Sequence, residues 1–237
     1  VGAIAVRVST SLAQSCDLHE TARLSGNEQF AITTGPVVAI DSGMFIGMPY
    51  SEPPSAGSVQ LYARDGLNWT LQQVLTITDG GAEDLFGSAI AVDKSRLVVG
   101  APGHQANGIQ SGAAYVFDRV GSTWVQTAKL LPSDATAWKR FGSSVSLQDD
   151  VIVVGDEADG FSGGETGAAY VFGFNGLGWT QLQKLVGSNS QPYDRFGSSV
   201  ALQGTELVIS APEREVGTID RVGALYVFRL NGALWQE

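Results

Sequence analysis

The sequence predicts an all-β protein, a β-propeller built of four-stranded antiparallel blades, and three observations lead there. Landmarks recur every 55 or 56 residues: Phe30, Phe86, Phe141 and Phe196, with Trp69, Trp124, Trp179 and Trp235, and with Tyr62, Tyr115, Tyr170 and Tyr226 following in phase. Self-similarity at such a period marks an array of supersecondary units, each too small to bury its apolar faces alone. Within each unit four short segments alternate with turn-rich stretches, the pattern of an antiparallel meander. The segments also grade from small side chains, through a continuous apolar run, to an alternating pattern. A radial blade needs that gradient, and a two-sheet sandwich would not repeat it at this period.

Strand A is Phe86 to Val92, Phe141 to Leu147 and Phe196 to Leu202, with a degenerate copy from Phe30-Ala31. Beyond the phenylalanine its side chains are small, as at Ser88, Ala89 and Ala91, which suits a strand crowded near a central axis. Strand B is the β-branched run Leu97-Val98-Val99, Val151-Ile152-Val153-Val154 or Leu207-Val208-Ile209. An unbroken apolar run implies burial on both faces. It stops at Gly47-Met48-Pro49, Gly100-Ala101-Pro102 or Ser210-Ala211-Pro212, where proline removes a ladder donor. Strand C is Gly112 to Phe117, Gly167 to Phe172 and Gly223 to Phe228. Strand D opens at the tryptophan and alternates, as in Thr180-Gln181-Leu182-Gln183-Lys184-Leu185, the mark of a half-exposed outer strand.

One propeller region therefore spans 1–237, with blades starting near residues 30, 86, 141 and 196. Residues 1–29 read as the end of a preceding blade, because Val1-Gly2-Ala3-Ile4-Ala5-Val6 matches Val222-Gly223-Ala224-Leu225-Tyr226-Val227. The last blade breaks off within strand D. The favoured reading is an arc of a larger ring. The alternative is a closed four-bladed ring in which His19 to Leu24 supplies the last outer strand, but it leaves the first strand C without a role.

Composition excludes several classes. The 237 residues carry a formal charge of −10, so no basic footprint for nucleic acid is expected. Hydrophobic content of 43% against 16% charged fits a packed chain, and 30 glycines supply many tight turns. The single cysteine, Cys16, allows neither an intrachain disulfide nor a Cys-x-x-Cys site. No apolar run is long enough to span a membrane as a helix.

Phe-Gly on strand A, Gly-Ala-Pro after strand B, and Gly-Ala-[Ala/Leu]-Tyr-Val-Phe on strand C together resemble the FG-GAP repeats of integrin α-subunit propellers and their microbial and algal relatives. The resemblance implies radially arranged four-stranded blades and an extracellular or cell-surface location. Many such repeats carry a calcium loop between strands A and B. Here that turn is only Asp41-Ser42-Gly43, Asp93-Lys94-Ser95-Arg96, Gln148-Asp149-Asp150 or Gln203-Gly204-Thr205-Glu206, too short and oxygen-poor for the ion, so neither a metal nor another cofactor is expected. Gly155-Asp156-Glu157 breaks the Gly-Ala-Pro pattern.

In a meander the A–B and C–D turns share one face, and the longer, variable B–C and D–A loops share the other. Variable loops on a rigid scaffold are where binding usually resides. On that face the candidate ligand-contacting residues are Trp138, Arg140, Tyr193 and Arg195, with Asp134 and Asp194 beside them. Tryptophan, tyrosine and arginine dominate interface hot spots. The same spacing is also what simple cover of the blade end requires, and that reading ranks first. The loops are rich in carboxylates, which read as solvated charges before they read as a lure for a basic partner or cation.

No catalytic residue is assigned, since His19 and His104 are far apart and no nucleophile elbow is present. Asn68-Trp69-Thr70 fits a glycosylation sequon. Three readings follow. The first is a non-catalytic extracellular interaction or adhesion module with a protein or glycan partner. The second is a self-assembling building block of a surface filament or sheath. The third is an enzyme whose site lies elsewhere in a longer chain.

Overall fold

The computed structural model describes residues 3–5, 23–25, 35–40, 43–50, 56–66, 68–157, 166–215, 219 and 221–237. Cys16, His19, Phe30 and the Asp41-Ser42 turn lie outside them. The described chain is all β. β1 (Ala3–Ala5) and β2 (Arg23–Ser25), the segments read as strands C and D ahead of the first full repeat, pair antiparallel with Ile4 opposite Leu24.

Four meanders follow, each a four-stranded antiparallel sheet in chain order. The first is β3 (Val37–Ile40), β4 (Gly43–Met48), β5 (Ser58–Asp65) and β6 (Asn68–Leu75). The second is β7 (Ala89–Asp93), β8 (Arg96–Ala101), β9 (Ala113–Val120) and β10 (Thr123–Leu130). The third is β11 (Phe141–Gln148), β12 (Val151–Asp156), β13 (Ala168–Phe174) and β14 (Trp179–Leu185). The fourth is β15 (Val200–Gln203), β16 (Glu206–Ala211), β17 (Ala224–Asn231) and β18 (Leu234–Gln236). The innermost strands β3, β7, β11 and β15 touch in succession. Among the described residues the blades form an open series, and β2 pairs with β1 and with no strand of the fourth sheet.

The core lies between blades. Leu97 and Val99 of β8, with Tyr115 and Phe117 of β9, pack against Phe45, Val59 and Leu61 of the first blade. Val98, Ala114 and Val116, on the opposite faces of the same strands, pack against Phe141, Ile152 and Val154 of the third. This two-sided burial is why strand B is apolar at every position. The recurrent tryptophans also serve the joints, since Trp124 meets Phe45 of the preceding blade edge-on with ring centroids 5.2 Å apart.

Two expectations need correction. Strand A does not begin at the phenylalanine in the second and fourth blades, where β7 and β15 start at Ala89 and Val200. Phe86, Phe141 and Phe196 instead form parallel bridges to Gly57, Gly112 and Gly167, each in the preceding blade. The glycine after each phenylalanine has a positive φ, +99°, +95° and +92° in turn, and this kink sends the phenylalanine backbone toward its neighbour. The ring still serves its own blade: Phe141 lies 5.5 Å from Tyr170 and 6.0 Å from Phe172.

Tyr62 is the second correction. It pairs with Leu71 as Phe172 pairs with Gln181, so it holds the phenylalanine position of strand C, and Gln60 holds the tyrosine position. The tyrosines of the other blades are two residues earlier in the repeat.

The joints also explain the motif glycines. A Cβ built on Gly47, Gly100 or Gly155 would overlap the carbonyl oxygen of Gly87, Gly142 or Gly197, the Phe-Gly glycine of the next blade. Strand B can approach that backbone only without a side chain. The first motif of one repeat and the second motif of its predecessor are therefore two halves of one contact.

Candidate functional site

The A–B turns close with two residues, the first left-handed in β7–β8 and β11–β12, at Lys94 and Asp149. On this face the second and third blades are joined by charge. Lys94 pairs with Asp149, and Arg96 bonds Asp118 at 3.0 Å and Asp150 at 2.9 Å. The Arg96 guanidinium also lies 4.7 Å from the Phe174 ring centre and 5.0 Å from that of Trp179. The adjacent carboxylates Asp149 and Asp150 thus have a structural use.

The opposite face carries the long loops, and a repeated device fixes their roots. The Tyr115 hydroxyl donates to Asp79 at 3.1 Å, and Lys129 reaches the other oxygen of that carboxylate at 2.7 Å. Tyr170, Asp134 and Lys184 repeat it at 2.8 and 2.5 Å. In the fourth blade Tyr226 donates to Asn189 at 2.8 Å. Burial, then the nearby carboxylates, push the Tyr115 and Tyr170 hydroxyls well above their ordinary range, so both stay protonated donors. Burial would raise the Asp79 and Asp134 carboxyls, but the lysine and tyrosine bonds outweigh it and both sit below the usual range.

A second clamp ties the D–A loop to the following B–C loop in the second and fourth blades. Buried Asp84 accepts from the His104 ring Nδ1 at 2.6 Å, and buried Asp194 accepts from Arg214 at 3.0 Å. The other His104 nitrogen faces Lys129 Nζ at 2.6 Å.

Above these roots the D–A loops share one backbone course. Two residues in each are left-handed, three and one before the phenylalanine: Glu83 and Leu85, Trp138 and Arg140, Tyr193 and Arg195, with φ between 56° and 73°. Non-glycine residues adopt this region at a cost, so the surrounding bonds must hold it. They do so at Trp138 and Arg140, whose N–H groups donate to Ile109 and Gln110 at 2.8 and 2.9 Å. Trp138 is half-buried and Tyr193 is 57% exposed.

Arg140 and Arg195, expected one residue before their phenylalanines on adjacent blades, are brought together by a residue the sequence left unassigned. Glu157, only 9% exposed, takes Arg140 on one oxygen at 2.9 Å and Arg195 on the other at 2.5 Å. Glu157 stands where the other repeats have the proline of Gly-Ala-Pro, and that break was its signal. Asp134 and Asp194, also candidates, are engaged by Lys184 and Arg214 as just described, the first pair exposed and the second buried at Asp194. Among the described residues much of the acidity of these loops is answered from within: Asp79, Asp134, Glu157, Asp194 and Glu213 each pair with a lysine or arginine. Lys129 and Lys184 were legible as an in-phase pair 55 residues apart in strand D.

Compared with known families, three segments of the chain, 69–117, 124–172 and 179–228, each match the FG-GAP repeat. A comparison with curated proteins found no match. The matched segments run from the outer-strand tryptophan of one blade to the last phenylalanine of strand C in the next, so each carries the Phe-Gly half of one joint and the strand B motif that faces the joint after it. Repeats and joints agree: the chain belongs to the FG-GAP repeat family.

Proposed function

We propose that this chain is a non-catalytic interaction module of the cell surface or extracellular space, presenting its long-loop face to a protein or glycan partner. One observation carries the reading. The D–A loops keep the same left-handed pair from blade to blade while its side chains change from Glu83 and Leu85 to Trp138 and Arg140 to Tyr193 and Arg195. An invariant backbone with variable side chains is the arrangement of a recognition surface on a rigid support. Ile109, 51% exposed, adds an apolar contact next to Trp138.

The test is retention of the labelled chain on surface material from its source organism. Trp138→Ser with Tyr193→Ser should lose retention, and Val120→Ser on the opposite face should keep it. The reverse pattern would place the contact surface elsewhere.

A second reading, a self-assembling building block, has its own observation. Leu225 and Val227 of β17 are 71% and 45% exposed, whereas their equivalents Ala114, Val116, Ala169 and Val171 are fully buried against a following blade. This reading expects concentration-dependent association that Leu225→Glu abolishes. A monomer at millimolar concentration by sedimentation would count against it.

A further inference from the structure

The third blade is where the repeat is broken, and both changes introduce acid: Gly155-Asp156-Glu157 stands for Gly100-Ala101-Pro102. Places where a sequence departs from an otherwise consistent pattern are where function is expected to intrude. The departure lies between the two loops that carry an aromatic residue and an arginine. Glu157 is covered, accepts one nitrogen from each guanidinium, and has the Ser198 hydroxyl at 3.4 Å. A guanidinium has five N–H donors, so this bond orients each arginine without exhausting it. The side chains of Arg140 and Arg195 remain 29% and 38% exposed.

The charge around this point is unlike that of the chain. Arg195 also lies 3.9 Å from Glu213, which binds Arg221 at 3.0 Å, so in this linked set of described residues three guanidiniums face two carboxylates within a chain of net charge −10. Among the described residues elsewhere on the long-loop face the carboxylates are matched one for one or left over, as at exposed Glu83, and exposed Glu215 shares the loop of Glu213. Trp138 and Tyr193 each stand two residues before one of the paired arginines, held by the same left-handed backbone.

We infer that Trp138, Arg140, Tyr193 and Arg195, with Glu157 as the internal brace, form a binding site for an acidic segment of a protein partner. An aspartate or glutamate carboxylate meets the outer edges of the two guanidiniums, and an adjoining side chain packs on the aromatic rings. Arginine is suited to this because its planar fork matches a carboxylate with two parallel bonds. Glu157 fixes the guanidiniums beforehand, which lowers the ordering cost of binding. The inference rests on the interaction-module reading and narrows it to one chemistry.

The experiment uses the full chain and a fluorescein-labelled decaglutamate peptide, with decaglutamine and polygalacturonate as comparison probes, followed by anisotropy at low and high salt. Decaglutamate should bind, with affinity falling steeply as salt screens the contact, and decaglutamine should not. Arg140→Gln or Arg195→Gln should weaken binding about tenfold or more, in keeping with loss of a charge-assisted pair. Because either change leaves Glu157 less well paired, Arg140→Lys with Arg195→Lys is measured too. It keeps both charges and the brace but removes the fork, and should still weaken binding several-fold with folding intact. Arg229→Gln, far from these loops in the repeat, should bind as the parent does.

Absence of decaglutamate binding overturns the inference, as does a folded double-lysine variant that binds like the parent. Tighter binding of polygalacturonate at the same arginines overturns it in favour of an acidic glycan. If the peptide fails but Trp138→Ser with Tyr193→Ser still abolishes surface retention, the acidic chemistry falls and the interaction face stands. If retention survives that variant, the face itself is wrong.

Discussion

Gln73 and Trp124 close a cyclic pair of hydrogen bonds across the first blade joint. The Gln73 amide nitrogen donates to the Trp124 carbonyl at 2.8 Å, and its oxygen accepts the Trp124 N–H at 2.9 Å. The side-chain amide imitates a neighbouring strand for one residue. Gln183 and Trp235 repeat the arrangement at 2.9 and 2.8 Å, while the middle joint has Ala128 at the glutamine position and relies on Arg96 instead. Gln73→Ala should therefore cost about 1–3 kcal/mol, the range for leaving buried backbone groups unpaired. Amide exchange at Trp124 should accelerate while Trp179 stays unchanged.

Gly100→Ala should be among the most damaging single substitutions. The new methyl group would overlap the Gly142 carbonyl, and neither backbone can retreat without opening the joint. Overpacking of this kind costs roughly 1–3 kcal/mol and at times more. Gly121→Ala is the comparison, since that glycine, unlike Gly100, has a positive φ but no atom within 4 Å of a new Cβ. It should lose only the backbone term, about 1 kcal/mol. Urea denaturation of both variants separates the two effects.

Arg96→Lys should not replace arginine. Lysine keeps the charge toward Asp118 and Asp150 but not the flat surface over Phe174 and Trp179. A loss of about 1–2 kcal/mol is expected from the stacking contribution. Most of it should persist in high salt, where a purely ionic contribution would fade.

Asp134 gives a pH dependence with a definite sign. Its carboxyl sits below the ordinary range when folded, so its contribution is fully present above the unfolded value of about 3.9 and is lost as pH falls through the lower folded value. Asp79 behaves alike. Asp134→Asn, which copies Asn189 of the fourth blade, should lower stability at neutral pH by less than about 1 kcal/mol because the pair is largely exposed. The variant should also flatten the acid limb of the stability curve, read from thermal unfolding between neutral pH and acid.

The blades were legible because burial on both faces forces strand B to be apolar at each position, and because identical joints demand glycine and phenylalanine at identical phase. The start of strand A was not, since Phe86 and Phe196 look like strand residues but spend their backbone bonds on the preceding blade. Tyr62 misled for a related reason: both strand C positions two apart accept an aromatic ring, and only the bulged pairing with Leu71 tells them apart. At the loop face the sequence shows Arg140 and Arg195 at the same phase, one residue before their phenylalanines. It could not show that Glu157 bridges them, because that contact joins three segments of two blades.

The interlock of Gly47, Gly100 and Gly155 with the next Phe-Gly bears on how such a gene changes length. Each joint presents the same half-contact on either side, so removing residues 86–140 would set Gly47 against Gly142, a partner equivalent to the one it has. Unequal recombination between tandem copies would then delete or add a whole blade without creating a new type of joint. The Trp138 and Tyr193 loops, carried on separate copies, would be gained or lost with their blades.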